Sequence, residues 1–484
     1  MIRRIFRFWR NFWYALSPTL FFCSFRRRLT SRFKQQENLR TREKSQGDGG
    51  SSTTGAYSGP AFNIKTFNNI SSKGLQRFQS GFYKVGSETE EDHAILLRSH
   101  KLKLEDVGPS VRAVARCGAG VNNIPVKELT DLGVPVFNTP GSNANSVKEL
   151  TMCAMLLSSR DILGGINHVK KIYEEETEHA VIHKRVEKEK KLFVGQELKG
   201  KTIGVIGLGN IGSAVVNAAM SMGMNCVGYD PMLTVDAALS LPHQMNRARD
   251  IQTLLKLSDY VSLHVPYNTH THHLLGESEL KLLRPNTHIM NYSRGELVDS
   301  AAMKKLYTNG ELTGKYFTDF VDEDLNDEEK VIIMPHLGAS TGEAEENSAS
   351  MAAEQIRNYL ECGSIVNSVN FPTCELGPVT DGTNRICIVN KNVTGVLGAI
   401  STVLGDSGIN ILKQLNVSRD DIAYTVIEFE GLPKSSDELQ LALLSVDGVL
   451  TSRFVGKAFD DNLYGIPGTH YKVIWRDGDN VSAA

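Results

Sequence analysis

Arg294, His336 and the acidic run Asp322-Glu-Asp324 are of the types that removal of a hydride and a proton from a small hydroxy acid would need. A cation must grip the carboxylate at two points, a base must take the hydroxyl proton, and a carboxylate must orient that base and stabilise its protonated form. Arg294, in Asn291-Tyr-Ser-Arg-Gly-Glu296, suits the first role. His336, in Pro335-His-Leu-Gly-Ala-Ser340, suits the second, and Glu323, in the acidic run Asp322-Glu-Asp324, the third. Taken singly, each has a plainer explanation as a surface salt bridge, a structural histidine or a solvated loop. What lifts them is an acceptor site upstream. Gly207, Gly209 and Gly212 give the G-x-G-x-x-G spacing between an apolar run (Thr202 to Ile206) and a helical stretch (Ala214 to Met222). Such glycines supply a tight turn, close backbone approach to a pyrophosphate, and close packing of helix on strand. The helix amino end then offers free N–H groups to the phosphates. Asp230 ends a second apolar run 18 residues past Gly212, where a carboxylate accepts hydrogen bonds from a ribose diol. No Lys or Arg lies between Pro231 and Asp236 to receive a 2′-phosphate, so the expected cofactor is NAD rather than NADP.

Strands are expected at His93–Leu97, Val111–Arg116 and Val134–Phe137, followed by a helix carrying Val147, Leu150, Ala154 and Leu157 on one face. A second α/β unit begins at Lys201, with strands at Thr202–Ile206, Asn225–Tyr229, Tyr260–Val265, His288–Tyr292, Lys315–Phe320 and Val331–Met334. Asp230, His264 with Pro266, Ser293-Arg294, Asp319 and Pro335-His336 each fall just past a strand's carboxyl end, the edge that forms the ligand crevice of an open parallel sheet. After a helix from Gly342 to Leu360, the segment from Asn384 to Val455 reads strand, helix, strand, strand, helix, strand, the split βαβ ferredoxin-like order. The expected fold class is therefore α/β, with two Rossmann-like doubly wound parallel-sheet domains, one for substrate and one for NAD, and a C-terminal βαββαβ domain. The expected boundaries are 61–158 with 343–372 for the substrate domain, 159–342 for the NAD domain, 373–383 for a linker, 384–456 for the last domain and 457–484 for a tail.

The chain's 484 residues, 41% apolar and 22% charged, allow two or three domains with their own cores, and a net charge of −2 gives no electrostatic case for nucleic acid. The seven cysteines are scattered and form no C-x-x-C, so neither a disulfide framework nor a metal site is expected. The first 36 residues hold eight Arg, one Lys and no acid, with Ile2, Ile5, Phe6, Trp9, Phe12 and Trp13 at helical spacing. That is the composition of a transit peptide, mitochondrial ahead of plastid, with a cytoplasmic enzyme bearing an extension as the alternative. The apolar run from Phe12 to Phe25 is too short, and too broken by Pro18, to span a membrane. Lys44 to Pro60 is rich in Gly, Ser and Thr and reads as a flexible linker closing an extension of residues 1–60.

Asn291-x-x-Arg-Gly-x-x-Val-Asp299, the Pro335-His-x-Gly-Ala-Ser340 segment and Phe193-Val-Gly-Gln-Glu-Leu-x-Gly-Lys-Thr202 resemble the D-2-hydroxyacid dehydrogenases. Leu97-Arg-Ser99, Phe137-Asn-Thr-Pro-Gly-Ser-Asn143 with Ser146-Val-Lys-Glu149, and Asn367-Ser-Val-Asn-Phe-Pro372 are similar to segments of those members that act on 3-phosphoglycerate. The resemblance implies catalytic roles for Arg294, Glu323 and His336. It also implies cofactor contacts at Asn210, Ile211, Asp230, Tyr292, Ser293, Arg294, Asp319, His336, Leu337, Gly338 and Ala339, and substrate contacts at Arg98, Ser99 and Asn143. The family's Asp-Val-Phe-x-x-Glu-Pro has become Asp319-Phe-Val-Asp-Glu-Asp324 without its Pro, which leaves Asp324 as the alternative to Glu323. The last domain resembles an ACT regulatory domain, implying L-serine as an effector held by Asn392 and Asn410. Against this, Asn390 and Thr394 replace a His and a Pro. Assembly as a homodimer or homotetramer is likewise implied. The alternatives are another 2-hydroxyacid dehydrogenase, acting on 2-hydroxyglutarate or on glycerate and hydroxypyruvate, or a dinucleotide-sensing binding protein like the corepressors that share this scaffold.

Overall fold

The computed structural model describes residues 62–89, 91–380, 382–430, 435–455, 474–477 and 480–483. The Arg-rich start and the linker expected before Pro60 lie outside the described residues. No described helix is long and apolar enough to cross a membrane.

The first sheet holds β1 (Phe62–Thr66), β2 (Tyr83–Gly86), β3 (Ala94–Leu97), β4 (Ala113–Arg116) and β5 (Val136–Phe137), all parallel, in the order β2-β1-β3-β4-β5. The chain order reverses between β1 and β3. Such a switch point opens a crevice at the strands' carboxyl ends. Asn68, just past β1, fills that gap with a left-handed φ of 68°. Its Oδ1 accepts from the backbone N–H groups of Arg98, Ser99 and His100 at 3.4, 3.0 and 2.8 Å, fixing the turn that follows β3.

The second sheet is also wholly parallel. It contains β6 (Thr202–Ile206), β7 (Asn225–Tyr229), β8 (Asn246–Arg247), β9 (Tyr260–Leu263), β10 (His288–Asn291), β11 (Tyr316–Thr318) and β12 (Val331–Ile333), in the order β12-β11-β10-β9-β6-β7-β8. That is the strand order of a dinucleotide-binding sheet, with its switch between β6 and β9. Ile203, Val205, Met290 and Phe317 are fully or almost fully buried because helices cover both faces.

Two helices cross between the domains. The helix Ala144–Ser159 was expected with the substrate domain, but its buried Val147, Ala154 and Met155 join the core of the second sheet. The first sheet is packed instead by helix Gly342–Cys362. This 21-residue helix, about 31 Å long, buries Ala349, Ala352, Ala353 and Ile356 against Ala94, Leu96, Ala113 and Ala115. It ends at Gly363, which takes the left-handed conformation that terminates helices at φ 73°. Both crossings lie beside the cleft, one at Thr139–Asn143 and the other at His336–Thr341. Helices Ile162–Glu175 and His179–Glu189, for which no sequence expectation was made, stand out from the second domain.

The third unit consists of β13 (Thr383–Lys391), β14 (Asn410–Arg419), β15 (Ile422–Glu430) and β16 (Val449–Val455), antiparallel in the order β14-β15-β13-β16, with helices Val396–Asp406 and Ser436–Leu444. This is the βαββαβ arrangement. A hairpin of β17 (Ile474–Asp477) and β18 (Asn480–Ala483) extends the sheet beyond β16, in the tail where no element was expected.

One face of this sheet is buried on the first domain and its long helix. Cys387, Val389, Tyr424, Val426 and Val455 share a core with helix Gly342–Cys362. Arg453 donates to the carbonyl of Tyr359 at 2.6 Å, Arg385 donates to those of Cys362 and Gly377 at 2.9 and 2.6 Å, and Tyr424 donates to that of Gly363 at 2.8 Å. Cations at a helix carboxyl end satisfy carbonyls left without partners and complement the dipole. The same Arg385 forms a buried ion pair with Glu428, which also receives Lys413 at 3.3 Å. Burial alone would raise the Glu428 pKa. Hydrogen bonds from Thr380, Arg385 and Lys413 outweigh it and hold the carboxyl at about 2.

Candidate active site

At the switch point of the second sheet, Gly207 takes φ 89° and donates its N–H to Tyr229 O at 2.9 Å. A β-carbon there would strike the His264 carbonyl at the end of β9, and one on Gly212 would stand 1.9 Å from Gly207 O. Gly209 is different: its missing side chain would point into open space. Gly209 also caps helix Asn210–Ser221 with no side-chain acceptor, so the N–H groups of the first turn remain available to an anion. Asp230 sits at the end of β7, its carboxylate fixed by the N–H groups of Leu208 and Met232 at 2.9 and 2.8 Å. Lone pairs remain for a diol.

The other expected cofactor residues divide by environment. Ser293 donates from Oγ to Leu263 O at 2.7 Å and so ties the turn after β10 to β9. Tyr292 points away, into the core, where burial pushes its hydroxyl pKa up and Met334 Sδ is its partner at 3.9 Å. What it can present to a ligand is backbone. Asp319 is 4% exposed; its Oδ2 accepts from Gly338 N at 2.6 Å, while its Oδ1 is buried without a hydrogen-bond partner. An orphaned carboxylate oxygen costs free energy unless a ligand donor or water meets it. Asn210 and Gly141 pack so closely across the domain cleft that a β-carbon on Gly141 would overlap the Asn210 amide. Leu337 is exposed, Ile211 is half-buried, and Ser146 Oγ holds Gly338 O at 2.8 Å. Together these features fit a dinucleotide along the carboxyl edge of the sheet.

Arg294 and His336 meet on a cavity of about 610 Å³ between the two domains, and Arg98, Ser99, Asn143 and Ala339 line it with them. The Arg294 guanidinium donates from Nη1 to Ser293 O at 2.6 Å. Its Nη2 lies against Gly120, where a side chain would displace it. His336 takes φ 54° behind a turn closed by its N–H to Met334 O at 2.9 Å, and its ring meets the edge of Phe320 at 5.5 Å. A second cavity, about 680 Å³, also borders His336 and is lined by Asp319, Asp322, Asp324, Asp299, Glu296, His272 and His273.

Glu323 lines neither cavity and is exposed, whereas Asp322 and Asp324 face the one that His336 borders. Asp322 is occupied by Ser300 Oγ and by the N–H of Asp324. Among the described residues no hydrogen bond joins His336 to a carboxylate. Within the run Asp322-Glu-Asp324, Asp324 is thus the residue that reaches that cavity with a carboxylate not already taken up by a neighbour.

Arg116, at the end of β4, was missed from the sequence. Its Nε donates to Arg98 O at 3.0 Å, and burial together with neighbouring Arg294 and Arg98 lowers its pKa. The signal was available: Arg116 ends an apolar strand and is followed by Gly118-x-Gly120, where side chains would collide with the Arg116 and Arg294 guanidiniums. Asn68 and Asn123, which arrange the Arg98 turn, carried no comparable signal.

In the third unit the structure separates the two expected effector residues. Asn392 follows β13 beside the turn between β14 and β15, donating from Nδ2 to Asp420 O at 3.1 Å. Asn410 opens β14 opposite Glu430, at the far end of the sheet. A ligand touching both would have to lie between two copies of the chain.

Residues 162–338 match the family model described as "D-isomer specific 2-hydroxyacid dehydrogenase, NAD binding domain". Curated relatives include the D-3-phosphoglycerate dehydrogenase of Methanocaldococcus jannaschii, 35% identical over 301 residues, covering 60% of this chain and 53% of that enzyme. The D-3-phosphoglycerate dehydrogenase of Escherichia coli K12 is 30% identical over 377 residues, covering 75% of this chain and 87% of that enzyme. Among solved structures, NAD⁺-bound 3-phosphoglycerate dehydrogenase from Entamoeba histolytica has a TM-score of 0.50 at 24% identity, over 64% of this chain and 98% of that one. Apo D-mandelate dehydrogenase from Rhodotorula graminis has a TM-score of 0.54 at 19% identity, again over 64% and 98%. At those identities the two structures speak for the fold alone.

Proposed function

The chain belongs to the D-2-hydroxyacid dehydrogenase family, and on that premise we propose that it oxidises 3-phospho-D-glycerate to 3-phosphohydroxypyruvate with NAD, the step that opens a phosphorylated route to L-serine. One observation carries the choice of substrate: three guanidiniums, Arg98, Arg116 and Arg294, line the cavity that His336 borders. A 2-hydroxy acid with only its carboxylate uses one of them. A carboxylate plus a phosphoryl group of charge about −2 uses all three.

Bound NAD supplies the hydride acceptor. The rest of the chemistry belongs to the chain. Arg294 holds the substrate carboxylate through paired N–H donors and so fixes the face that the reacting carbon presents. His336 takes the hydroxyl proton at its ring nitrogen, and a carboxylate beside the ring, for which Asp324 is best placed, favours the imidazolium that results. Arg98 and Arg116 hold the phosphoryl end. Asp319 Oδ1, buried and unpartnered, is the acceptor available to an amide donor of the cofactor.

The test is reduction of NAD by the full chain with 3-phospho-D-glycerate, D-glycerate and D-2-hydroxyglutarate, followed at 340 nm. Preference for the phosphorylated acid supports the reading. Equal or greater turnover of the other two would transfer the assignment to another 2-hydroxyacid dehydrogenase. Tight NAD binding with no turnover of any acid would point to a dinucleotide-sensing binding protein.

Assembly and address belong to the same proposal. Ile162, Leu163 and Ile166 expose 40%, 43% and 48% of their surface on one helix, and a second copy is the proposed cover, giving a homodimer or a homotetramer. The third unit is proposed as an ACT domain that binds L-serine across a pair of copies, a reading compatible with Asn392 and Asn410 at opposite ends of the sheet. The Arg-rich first 36 residues are proposed to direct import into a mitochondrion or plastid.

A further inference from the structure

The cation lining of the substrate cavity is unevenly paired. Arg116 spends its Nε on a carbonyl, and Arg294 spends its Nη1 on another. Arg98 instead donates Nη1 to a carboxylate, Glu345 Oε1, forming an ion pair inside the cavity lining. Glu345 lies in the first turn of helix Gly342–Cys362, and the only other carboxylate among the lining residues is Glu296. The pair is open to solvent: 36% of the Arg98 side chain and 43% of the Glu345 side chain remain exposed.

We propose that Glu345 is a resident counter-ion of Arg98 which the substrate's phosphoryl group displaces, so that Glu345 sets how tightly the phosphorylated end is held. The inference rests on the phosphorylated-substrate reading above. Two anions competing for one guanidinium repel, and an ion pair open to solvent is weak enough to be broken by an incoming dianion. Glu345 has room to yield, because its exposed side chain can swing from the cavity mouth into water. Arg98 does not lose its place when that happens, because Asn68 and Asn123 hold its backbone. The carboxylate therefore competes with the ligand rather than aiming the guanidinium. It lets the empty cavity carry less unbalanced charge, at a cost in phosphate affinity.

The experiment compares the wild-type full chain with Glu345→Gln and Glu345→Asp. The readouts are kcat and KM for 3-phospho-D-glycerate and D-glycerate, and the inhibition constant of inorganic phosphate, with NADH binding as the check on folding. Glu345→Gln should lower both the KM for 3-phospho-D-glycerate and the inhibition constant of phosphate by about 2- to 5-fold, the size of an exposed ion pair's contribution. The ratio of kcat/KM between the phosphorylated and unphosphorylated acids should rise by a similar factor, and Glu345→Asp, which keeps the charge, should return it toward wild type. A raised KM and a raised inhibition constant in Glu345→Gln would make Glu345 an aid to Arg98 and overturn the proposal. Unchanged values would overturn it as well. Failure of the underlying reading shows earlier and separately, as a wild-type enzyme with no preference for the phosphorylated acid.

Discussion

Two alanines on the glycine loop should separate what the fold needs from what the cofactor needs. On Gly212 the new β-carbon would lie 1.9 Å from Gly207 O, where carbon and oxygen normally keep more than about 3 Å. The loop would have to move by roughly an ångström, and it cannot retreat, because Gly207 is backed by the His264 carbonyl. Overpacking of this kind costs about 1–3 kcal/mol, a melting shift of roughly 2–4 °C per kcal/mol for a domain of this size. A one-ångström displacement of binding groups also weakens a ligand, so NADH affinity should fall at least about 10-fold. A methyl group on Gly209 would meet nothing within 4 Å, and the φ of −71° there is ordinary, so the protein alone tolerates Gly209→Ala. Its melting temperature should stay within about 1 °C of wild type. If a pyrophosphate approaches the Gly209 backbone, NADH affinity should nevertheless drop about 10-fold or more, at least ~1.4 kcal/mol. Differential scanning fluorimetry and titration of NADH fluorescence measure the two quantities. A Gly209→Ala protein with unchanged NADH affinity would refute the placement of the cofactor on this loop, whatever Gly212→Ala does.

Three further outcomes follow from other parts of the structure. Arg294→Lys keeps the charge but loses the two-point grip, so kcat/KM should fall about 10- to 100-fold, and a value within twofold of wild type would remove Arg294 from the carboxylate. Asp324→Asn should lower kcat/KM for 3-phospho-D-glycerate about 10-fold or more, because the imidazolium formed on His336 would lose its stabilising carboxylate; Glu323→Gln should stay within about twofold of wild type, and the reverse pattern would restore Glu323 as the partner. Glu428→Gln would leave Arg385 buried without its counter-ion, destabilising the chain by about 3–5 kcal/mol, read as a lower melting transition. The folded pKa of Glu428, about 2, lies below the ordinary carboxyl value. Its stabilisation is therefore complete above that ordinary value and disappears as pH falls toward 2, so the wild-type advantage over Glu428→Gln should shrink across that window.

The glycine loop was legible because its spacing encodes a backbone geometry, and Gly207 and Gly212 do occupy positions where a β-carbon cannot. The strand ends carrying Asp230, Arg294, Asp319 and His336 were legible for a related reason: apolar runs that stop at polar residues mark the crevice edge of a parallel sheet. Helix Asn210–Ser221 starts four residues before the apolar run suggests, because Gly212 depresses helix propensity where the loop geometry imposes a helix. β1 and β2 carry the apolar–polar alternation of half-buried strands, but at five and four residues they are too short for it to stand out. The hairpin of β17 and β18 has a sequence signature in the Gly-Asp pair that separates Asp477 from its partner Asn480.

What the sequence could not carry is register and reach. Asn392 and Asn410 look like one site until pairing of β13, β14 and β15 places them at opposite ends of a sheet. Glu323 and Asp324 are neighbours in the chain, yet only Asp324 lines the cavity beside His336, a matter of which way a short acidic turn faces. Arg116 carries a local mark, an apolar strand end before Gly118-x-Gly120, but its placement beside Arg98 and Arg294 comes from the fold.

Arg294 and His336 must act on one 2-hydroxy acid beside a bound nicotinamide for any of this chemistry to run. Supplying the full chain with NAD and 3-phospho-D-glycerate deuterated at carbon 2, and measuring the NADH by mass spectrometry, tests that most directly. The expected result is one deuterium in each NADH formed, with formation slowed at least about 100-fold in His336→Gln. NADH without deuterium, or a His336→Gln protein as fast as wild type, would contradict it.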